Sequence, residues 1–323
     1  MPGFVPSTPP RDDHPQLPSY GGRPALKPSV YGWLVGLYIT VAGIAGSAQI
    51  LATLLDIAGG AAGAPLVQAA RIVAVVCAIA GGALLIYELH TPQRFYNMLR
   101  IFRPTSPMSI GTYTLTSFGF FSVLALLAHL LGWTLTALVL GAIASVPALS
   151  MMSYPAAFAA ATSTPLWAAA PASLGARFAA SAMASGAALL ALLAILLSDP
   201  VAMRALALTA ALALAVELVA SLVWQTTCHR EGVAGALRGG YGILHLIGAQ
   251  IAGSGLPLIL FMAASLYPAP AMLVVVAAVL TLCGSVTMRG VILRAGNESA
   301  RRPHDYFHFT RSERHPDSGR KTS

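Results

Sequence analysis

Glu217 is the residue whose type and position most strongly suggest chemistry. It lies well inside a long uncharged stretch, and Ser221, Trp224 and Gln225 follow it at a spacing that places all four on one helical face. A carboxyl group inside hydrocarbon is costly, so it must be protonated or paired with an arginine or histidine across a bundle. Glu217 therefore either takes part in proton chemistry or is a neutral acid that hydrogen-bonds a neighbouring helix.

A second set of titratable and hydrogen-bonding residues falls at one end of the predicted spans. His90 ends the second span and His245 begins the seventh, so both lie towards the same side. The full set is Glu88, His90, Tyr113, Tyr154, Tyr241, His245 and Arg289. Such residues are common in the interfacial belt of any membrane protein. The set therefore indicates either that belt or a site for proton transfer.

The sequence that carries these residues has the composition of a membrane protein. Of its 323 residues, 56% are apolar and 9% are charged, with a mean hydropathy of +0.72, whereas roughly a quarter of the residues of a soluble protein are charged. Its uncharged stretches are long enough to cross a bilayer. They are too uniformly apolar for barrel strands, and backbone groups in lipid must then be satisfied within helices. We predict an all-α integral membrane protein.

We predict eight transmembrane helices. Several loops are very short, such as Gly132–Trp133, so neighbouring helices should be antiparallel and form an up-and-down bundle. A division into two four-helix halves stays open. The predicted spans are 31–55, 69–90, 109–131, 134–157, 174–197, 201–226, 243–267 and 270–294. Residues 1–30 are expected to form a disordered cytoplasmic tail, residues 31–294 the transmembrane domain, and residues 295–323 a basic C-terminal tail.

Lysine and arginine near the span ends indicate the orientation. If the N-terminus is inside, only Arg71 and Arg204 lie on the outer side. The inner side then carries Lys27, Arg94, Arg100, Arg103, Arg177, Arg230, Arg238, Arg294, Arg301 and Arg302. This asymmetry predicts that both termini are cytoplasmic. The same asymmetry explains the net charge of +8, so we do not expect the chain to bind nucleic acid.

The cysteines and motifs exclude several kinds of redox or metal site. Cys77, Cys228 and Cys283 occur singly, so this chain cannot by itself supply a four-cysteine iron–sulfur site or a covalent c-type haem. We find no phosphate-binding loop and no HExxH motif, and we predict no metal site. A b-type haem held by His90 and His245 is an alternative that the sequence alone leaves open.

The segment between the second and third spans is the most specific in the chain. From Tyr87 to Tyr113 it reads YELHTPQRFYNMLRIFRPTSPMSIGTY. This resembles the stretch D-L-G-R-P-x-R-F-x-N-M-L-R…P-x-S-P-M-S-x-G of the NrfD/PsrC family, the quinone-interacting membrane subunits of molybdopterin and related oxidoreductases. Arg289–Gly290 and residues 296–300 resemble the ending of that family. The chain departs from the pattern at Glu88, which adds one methylene to the family's Asp, and at His90, which replaces Gly.

The resemblance implies a quinone- or quinol-binding membrane anchor subunit of a multi-subunit oxidoreductase in a bacterial inner membrane. It would exchange electrons between menaquinone or ubiquinone and a partner iron–sulfur subunit, with no haem or iron–sulfur cluster in this chain. A further catalytic subunit, with a molybdopterin enzyme as one option, would complete the complex. By this reading the quinone-binding residues are Glu88, His90, Tyr113, Tyr154 and His245, the proton relay is Glu217 and Arg289, and the partner-docking residues are Arg94, Arg100 and Arg103.

The main alternative is a proton-coupled secondary transporter with Glu217 and His245 as its relay. Transporters usually contain broken helices and inverted repeats. The sequence offers only the segment Gly253–Pro257 in the seventh span as a candidate break.

Overall fold

Among the residues that the computed structural model describes, eight helices are long and apolar enough to cross a membrane, which confirms the predicted fold class. The structure describes residues 31–59, 64–88, 100, 103, 106–162, 164–267, 270–302 and 305. The helices are α1 (Trp33–Gly59), α2 (Ala64–Glu88), α3 (Pro107–Leu130), α4 (Thr134–Ala160), α5 (Pro171–Leu196), α6 (Pro200–Arg230), α7 (Gly240–Leu266) and α8 (Ala271–Arg301). A short helix, Pro165–Ala168, precedes α5.

Most helix ends lie within a few residues of the predicted spans, but α2 begins at Ala64 instead of residue 69, and the last helix is longer than predicted. α8 was expected to end at residue 294 but continues to Arg301, so the first part of the expected C-terminal tail is helical. Residues 1–30, expected to be disordered, lie outside the described residues. Because the helices alternate in direction, α1 begins and α8 ends at the same membrane face. We call this the terminal face, and the other the opposite face.

The helices form two four-helix bundles, the first made of α1–α4 and the second of α5–α8. Within the first bundle α1 packs against α2 and α4, and α3 against α4; within the second, α5 packs against α6 and α8, and α7 against α8. The bundles meet where α1 contacts α5 and α8, and where α4 contacts α5. The halves that the sequence left open are therefore present, with α1 at the seam.

Glycines let α1 come close to the second bundle. A Cβ atom at Gly36 would lie 3.1 Å from the backbone nitrogen of Gly290 on α8, and one at Gly43 would lie 2.9 Å from Cβ of Ala182 on α5. Small residues are the usual means by which helix backbones approach in lipid. The seam is therefore tight enough for polar side chains of α1 to reach the second bundle.

α7 changes its helical repeat where it crosses the membrane. It starts as an α-helix at Gly240–Ile243, continues as a π-helix over Leu244–Gly255 and ends as an α-helix over Leu256–Leu266. π-Helical segments are rare and are frequent at functional sites. The segment Gly253–Pro257, the candidate break of the transporter interpretation, is helical throughout.

Candidate functional site

A cavity of about 120 Å³ lies in the first bundle near the terminal face. Its polar lining consists of three phenols and two threonines, while the rest of its wall is apolar. The lining residues are Tyr31, Val35, Tyr38, Ile39, Ala42, Gly81, Leu85, Met108, Gly111, Thr112, Thr114, Leu115, Met151, Tyr154, Pro155, Phe158, Ala159 and Leu293. An apolar cavity with a few hydroxyls suits a flat, largely apolar ligand that carries hydrogen-bond acceptors.

Aromatic side chains form one side of this cavity. The Tyr154 hydroxyl donates a hydrogen bond to the carbonyl oxygen of Pro107, which ties α4 to the start of α3. The Phe158 ring lies between two phenols, with its centroid 6.1 Å from those of Tyr31 and Tyr154. Burial raises the pKa of the Tyr31 phenol, so its hydroxyl stays protonated at neutral pH and remains a hydrogen-bond donor.

Gly111 leaves the space that the Tyr154 ring occupies. A Cβ atom at position 111 would lie 2.5 Å from ring carbons of Tyr154, closer than any side chain could tolerate. The preceding Ser106-Pro107 starts α3 with a proline in its first turn, where a missing N–H costs nothing. The local sequence therefore both begins the helix here and makes room for the phenol.

A buried polar cluster lies next to the cavity, in the second bundle. Arg177 and Arg289 are fully buried, and Glu217 is 4% exposed. The Glu217 carboxyl group interacts electrostatically with both arginines, and Ser181 and Ser254 lie next to it. We call these five residues the Glu217 cluster. It has one carboxyl group for two guanidinium groups, an unusual concentration of charge inside a membrane.

Arg289 is held in place by α5 and by its own helix. Its Nη1 atom donates to the hydroxyl of Ser181 at 3.2 Å and also to the hydroxyl of Ser285. Its Nη2 atom donates to the carbonyl oxygen of Phe178 at 3.1 Å, and the guanidinium lies 5.4 Å from the centroid of the Phe178 ring. Arg289 therefore has a fixed position at the contact between α5 and α8.

His245 extends the Glu217 cluster towards the terminal face. Nη1 of Arg177 lies 3.3 Å from Nε2 of His245. Because a guanidinium can only donate, the imidazole accepts with Nε2 and a neutral ring carries its proton on Nδ1. Trp224 completes the contact, since its ring lies 5.6 Å from the Arg177 guanidinium and 5.9 Å from the imidazole.

The cavity and the Glu217 cluster are one helical turn apart on two helices. On α8, Leu293 lines the cavity, and Arg289 follows one turn further from the terminal face. On α1, Ile39 lines the cavity, and Gly43 lies one turn beyond it. A Cβ atom at Gly43 would lie 3.5 Å from Nη2 of Arg289. Arg289 therefore stands between the cavity and Glu217.

The structure brings some of the predicted quinone-binding residues together. Tyr154 lines the cavity, and Tyr113 lies between two lining residues of α3 but does not itself line it. Glu88, at the end of α2, interacts electrostatically with Tyr38. His245 is separate from the cavity lining and belongs beside the Glu217 cluster. His90 lies outside the described residues.

The predicted relay and docking residues fall in two places. Glu217 and Arg289 share the Glu217 cluster. Arg100 and Arg103 are exposed at the terminal face, and the Arg103 backbone N–H donates to the Ser109 hydroxyl at 3.0 Å. Arg94 lies outside the described residues. In the part of the chain that the structure describes, no group of three or more His, Cys, Asp or Glu side chains could hold a metal ion.

Sequence reasoning missed two buried arginines. Arg71 and Arg177 counted as charges at span ends, yet both side chains are 0% exposed inside the bundles. Each lies about two turns inside its helix (Ala64–Glu88 and Pro171–Leu196), too deep for an ordinary flanking charge. That depth could have identified them if the helix starts had been placed correctly. Without these two, Arg204 is the remaining lysine or arginine on the predicted outer side, so the asymmetry in basic residues stays.

A family model described as "Polysulphide reductase, NrfD" matches residues 24–299. The chain belongs to the NrfD family. NrfD proteins are membrane subunits of oxidoreductase complexes and typically work with other redox subunits. The match includes the cavity, the Glu217 cluster and the loop between α2 and α3, so all of them belong to the NrfD domain. No curated protein matches the chain.

Proposed function

We propose that this NrfD chain binds a quinone or quinol in the first-bundle cavity and exchanges electrons between the quinone pool and a partner iron–sulfur subunit. The observation that supports this most directly is the cavity itself, where the phenols of Tyr31, Tyr38 and Tyr154 face an otherwise apolar wall. The quinone, when bound, supplies the two-electron chemistry. The chain binds it, orients it and handles its protons.

The residues present fit a quinone head group. A quinone ring is flat and apolar and carries oxygens that accept hydrogen bonds, and the hydroxyls of Tyr31 and Tyr38 can donate to them. Rings such as Phe158 and apolar side chains such as Ile39 and Leu115 can contact the ring faces and the isoprenoid tail. Glu88 interacts electrostatically with the lining residue Tyr38, and Tyr113 lies between two lining residues of α3. We assign both of them, together with His90, to proton exchange rather than ring contacts.

Quinone turnover also requires a route for protons, and the Glu217 cluster adjoins the cavity. Arg289 lies one turn beyond the lining residue Leu293 and interacts electrostatically with Glu217. Carboxyl and imidazole groups inside a membrane commonly form proton relays. We therefore assign Glu217, Arg289 and His245 to proton transfer, and no longer assign His245 to quinone contact.

The electrons must leave through another protein, because no redox centre is expected in this chain. The terminal face carries the cavity and the exposed Arg100 and Arg103, so we assign partner docking to that face, with Arg94 in the same loop. An iron–sulfur subunit and a catalytic subunit, with a molybdopterin enzyme as one option, would form the complex in a bacterial inner membrane. The excess of lysine and arginine at the terminal face supports a cytoplasmic position for both termini.

The proposal is tested by isolating the complex in mild detergent from its native membrane. We expect an iron–sulfur protein to co-purify with the chain, and solvent extraction to recover menaquinone or ubiquinone in a fixed ratio to it. Tyr154→Phe should lower that ratio, while Tyr267→Phe, which alters an exposed phenol at the opposite face, should not. A pure single chain without quinone would contradict the proposal.

The Glu217 cluster also fits a proton-coupled transporter, the second candidate. A carboxyl group between two buried arginines, beside a π-helix, could couple proton binding to a change of conformation. Solute uptake into vesicles by the isolated chain, driven by a pH gradient and independent of quinone, would support this candidate.

A further inference from the structure

Residues 296–300 form a motif at the end of α8 that belongs neither to the lining of the cavity nor to the Glu217 cluster. The structure places this motif at the terminal face, against the start of α1 and the short helix Pro165–Ala168. Tyr31, which lines the cavity, contacts both the end of α8 and the short helix. The motif therefore adjoins the cavity through one of its phenols.

Asn297 fixes the backbone of Tyr31. Its Nδ2 atom donates a hydrogen bond to the carbonyl oxygen of Tyr31 at 2.9 Å. Tyr31 lies two positions before Trp33, the first residue of α1, so the hydrogen bonds within α1 do not include this carbonyl. Asn297 therefore supplies a hydrogen bond that α1 cannot, and it ties Tyr31 to α8.

The ring of Tyr31 is oriented by two other aromatic rings. Its centroid lies 5.7 Å from that of Trp167 and 6.1 Å from that of Phe158, at separations typical of aromatic pairs. Trp167 is fully buried, and its Nε1 atom donates to the carbonyl oxygen of Ile292 at 2.9 Å. The Tyr31 ring therefore packs against a side chain that α8 holds in place.

Two residues of the motif hold the short helix that carries Trp167. A Cβ atom at Gly296 would overlap the Trp167 indole, so the indole can pack here only against a glycine. The hydroxyl of the fully buried Ser299 accepts a hydrogen bond from the backbone N–H of Leu166 at 3.2 Å. The motif thus contacts Tyr31 directly through Asn297 and indirectly through Trp167.

The start of α1 is also held against α8 at Trp33. A Cβ atom at Gly290 would overlap the Trp33 indole, and the guanidinium of Arg294 lies 5.1 Å from the centroid of that ring. The backbone next to Tyr31 is therefore fixed as well, so that the remaining freedom of Tyr31 is limited by its contacts with Asn297 and Trp167.

We propose that Asn297 and Trp167 are positioning residues for the quinone. They hold the Tyr31 hydroxyl where it donates a hydrogen bond to a quinone oxygen. The inference rests on the proposed function. Neither residue lines the cavity, so both act through Tyr31. A donor that is already oriented loses less conformational freedom on binding and so binds more tightly. The end of α8, beyond the predicted span, is then part of the quinone site.

A structural role alone would also explain the burial of Trp167 and Ser299. The two roles differ in how they depend on the Tyr31 hydroxyl. If Asn297 positions that hydroxyl, its replacement has no further effect on quinol affinity once the hydroxyl is gone. If Asn297 only stabilises the fold, the effects of the two replacements are independent and multiply. A double-mutant cycle separates these cases.

The test measures quinol oxidation by the assembled complex in mild detergent, with decylubiquinol as the donor and ferricyanide as the acceptor. Tyr31→Phe removes the hydroxyl, and Asn297→Leu removes the amide with little change of volume. We expect each to raise KM about fivefold, within the usual worth of one hydrogen bond, with kcat unchanged. The double variant should have the KM of Tyr31→Phe alone. Glu298→Gln, which alters the next residue and its pair with Arg302, should keep the wild-type KM.

Trp167→Phe is a second, independent variant for the same cycle. It keeps an aromatic ring beside Tyr31 but removes the N–H that binds the Ile292 carbonyl. We expect it to raise KM in the wild-type background and not in the Tyr31→Phe background. Because KM does not depend on the concentration of active complex, a partial loss of assembly in this variant does not alter the comparison.

The outcomes separate this inference from the function on which it rests. A rise in KM from Asn297→Leu that persists in the Tyr31→Phe background would overturn the inference. A wild-type KM for either Asn297→Leu or Tyr31→Phe would overturn it too. In each of these cases quinol oxidation by the wild-type complex leaves the proposed function standing. Absence of quinol oxidation by the wild-type complex would overturn both proposals.

Discussion

Arg289 and Leu293 lie on successive turns of α8, with Leu293 in the wall of the cavity and Arg289 inside the Glu217 cluster. This relationship joins the two parts of the proposed function. The cavity in the first bundle can bind the ring, and the second bundle holds the titratable groups. α8 and α1 carry residues of both, so the seam between the bundles is the connection between quinone and protons.

Gly111→Ala should damage the cavity. The new methyl group would lie 2.5 Å from the Tyr154 ring, so the ring must move, and such overpacking costs about 1–3 kcal/mol of stability. We expect a lower thermal unfolding temperature and less bound quinone. Gly119→Ala on the same helix is the control, because nothing lies within 4 Å of its Cβ position. Equal quinone content in the two variants would remove Gly111 and Tyr154 from the site.

Glu217→Gln should slow quinone turnover by on the order of 10²-fold, the usual effect of removing an acid–base group. The amide has the same shape as the carboxyl group, so assembly should be normal. Glu231→Gln, just after α6 at the terminal face, is the matched control. Steady-state rates of the assembled complex measure the effect. A wild-type rate for Glu217→Gln would show that this residue is structural.

Asp56→Ala should destabilise the first bundle. It leaves the fully buried Arg71 without its carboxylate, and breaking a buried pair costs about 3–5 kcal/mol. The partial exposure of Asp56 places the effect at or below the lower end of that range. Glu298→Ala, which removes a half-exposed pair with Arg302 at 3.7 Å, should cost less than about 1 kcal/mol. Thermal unfolding in detergent compares them, and equal losses would refute a special role for the Arg71 pair.

Charge reversal at Arg100 and Arg103 should weaken partner docking by about tenfold, equivalent to ~1.4 kcal/mol, and more so at low salt. Both arginines are exposed at the terminal face. Arg204→Glu, on the opposite face, is the control. The measurement is the amount of partner that co-purifies over a range of salt concentrations. If only Arg204→Glu reduced the amount of partner that co-purifies, the partner would dock on the opposite face.

Much of the fold could be predicted because hydropathy and short loops determine it. Eight long apolar stretches with few charges must be helices in lipid, and their alternation places both termini at one face. The glycine contacts that bring α1 against α5 and α8 could not be predicted from Gly36 and Gly43 alone, since a small residue permits close packing but does not indicate which helix it contacts. The division into two bundles therefore needed the structure.

The site was less predictable. Glu217, Arg289 and Tyr154 could be selected as candidates from the sequence because polar groups inside apolar stretches are rare and easily recognised. Tyr31 and Tyr38 were missed because a tyrosine near a span end is ordinary, and the cavity they line depends on how four helices pack. The sequence showed that His245 lies near the start of the seventh span but not which side chains surround it. His245 was therefore assigned to quinone binding, whereas the structure places it beside Arg177.

The most direct test of the central claim is photo-crosslinking with an azido-quinone on the native complex, followed by mapping of the labelled peptides. The account predicts saturable labelling on α1, α3 and α4 at cavity residues such as Tyr38, Met108 and Tyr154, and its loss when excess quinone competes. Labelling confined to the second bundle or to lipid-facing side chains, or labelling that excess quinone does not reduce, would contradict it.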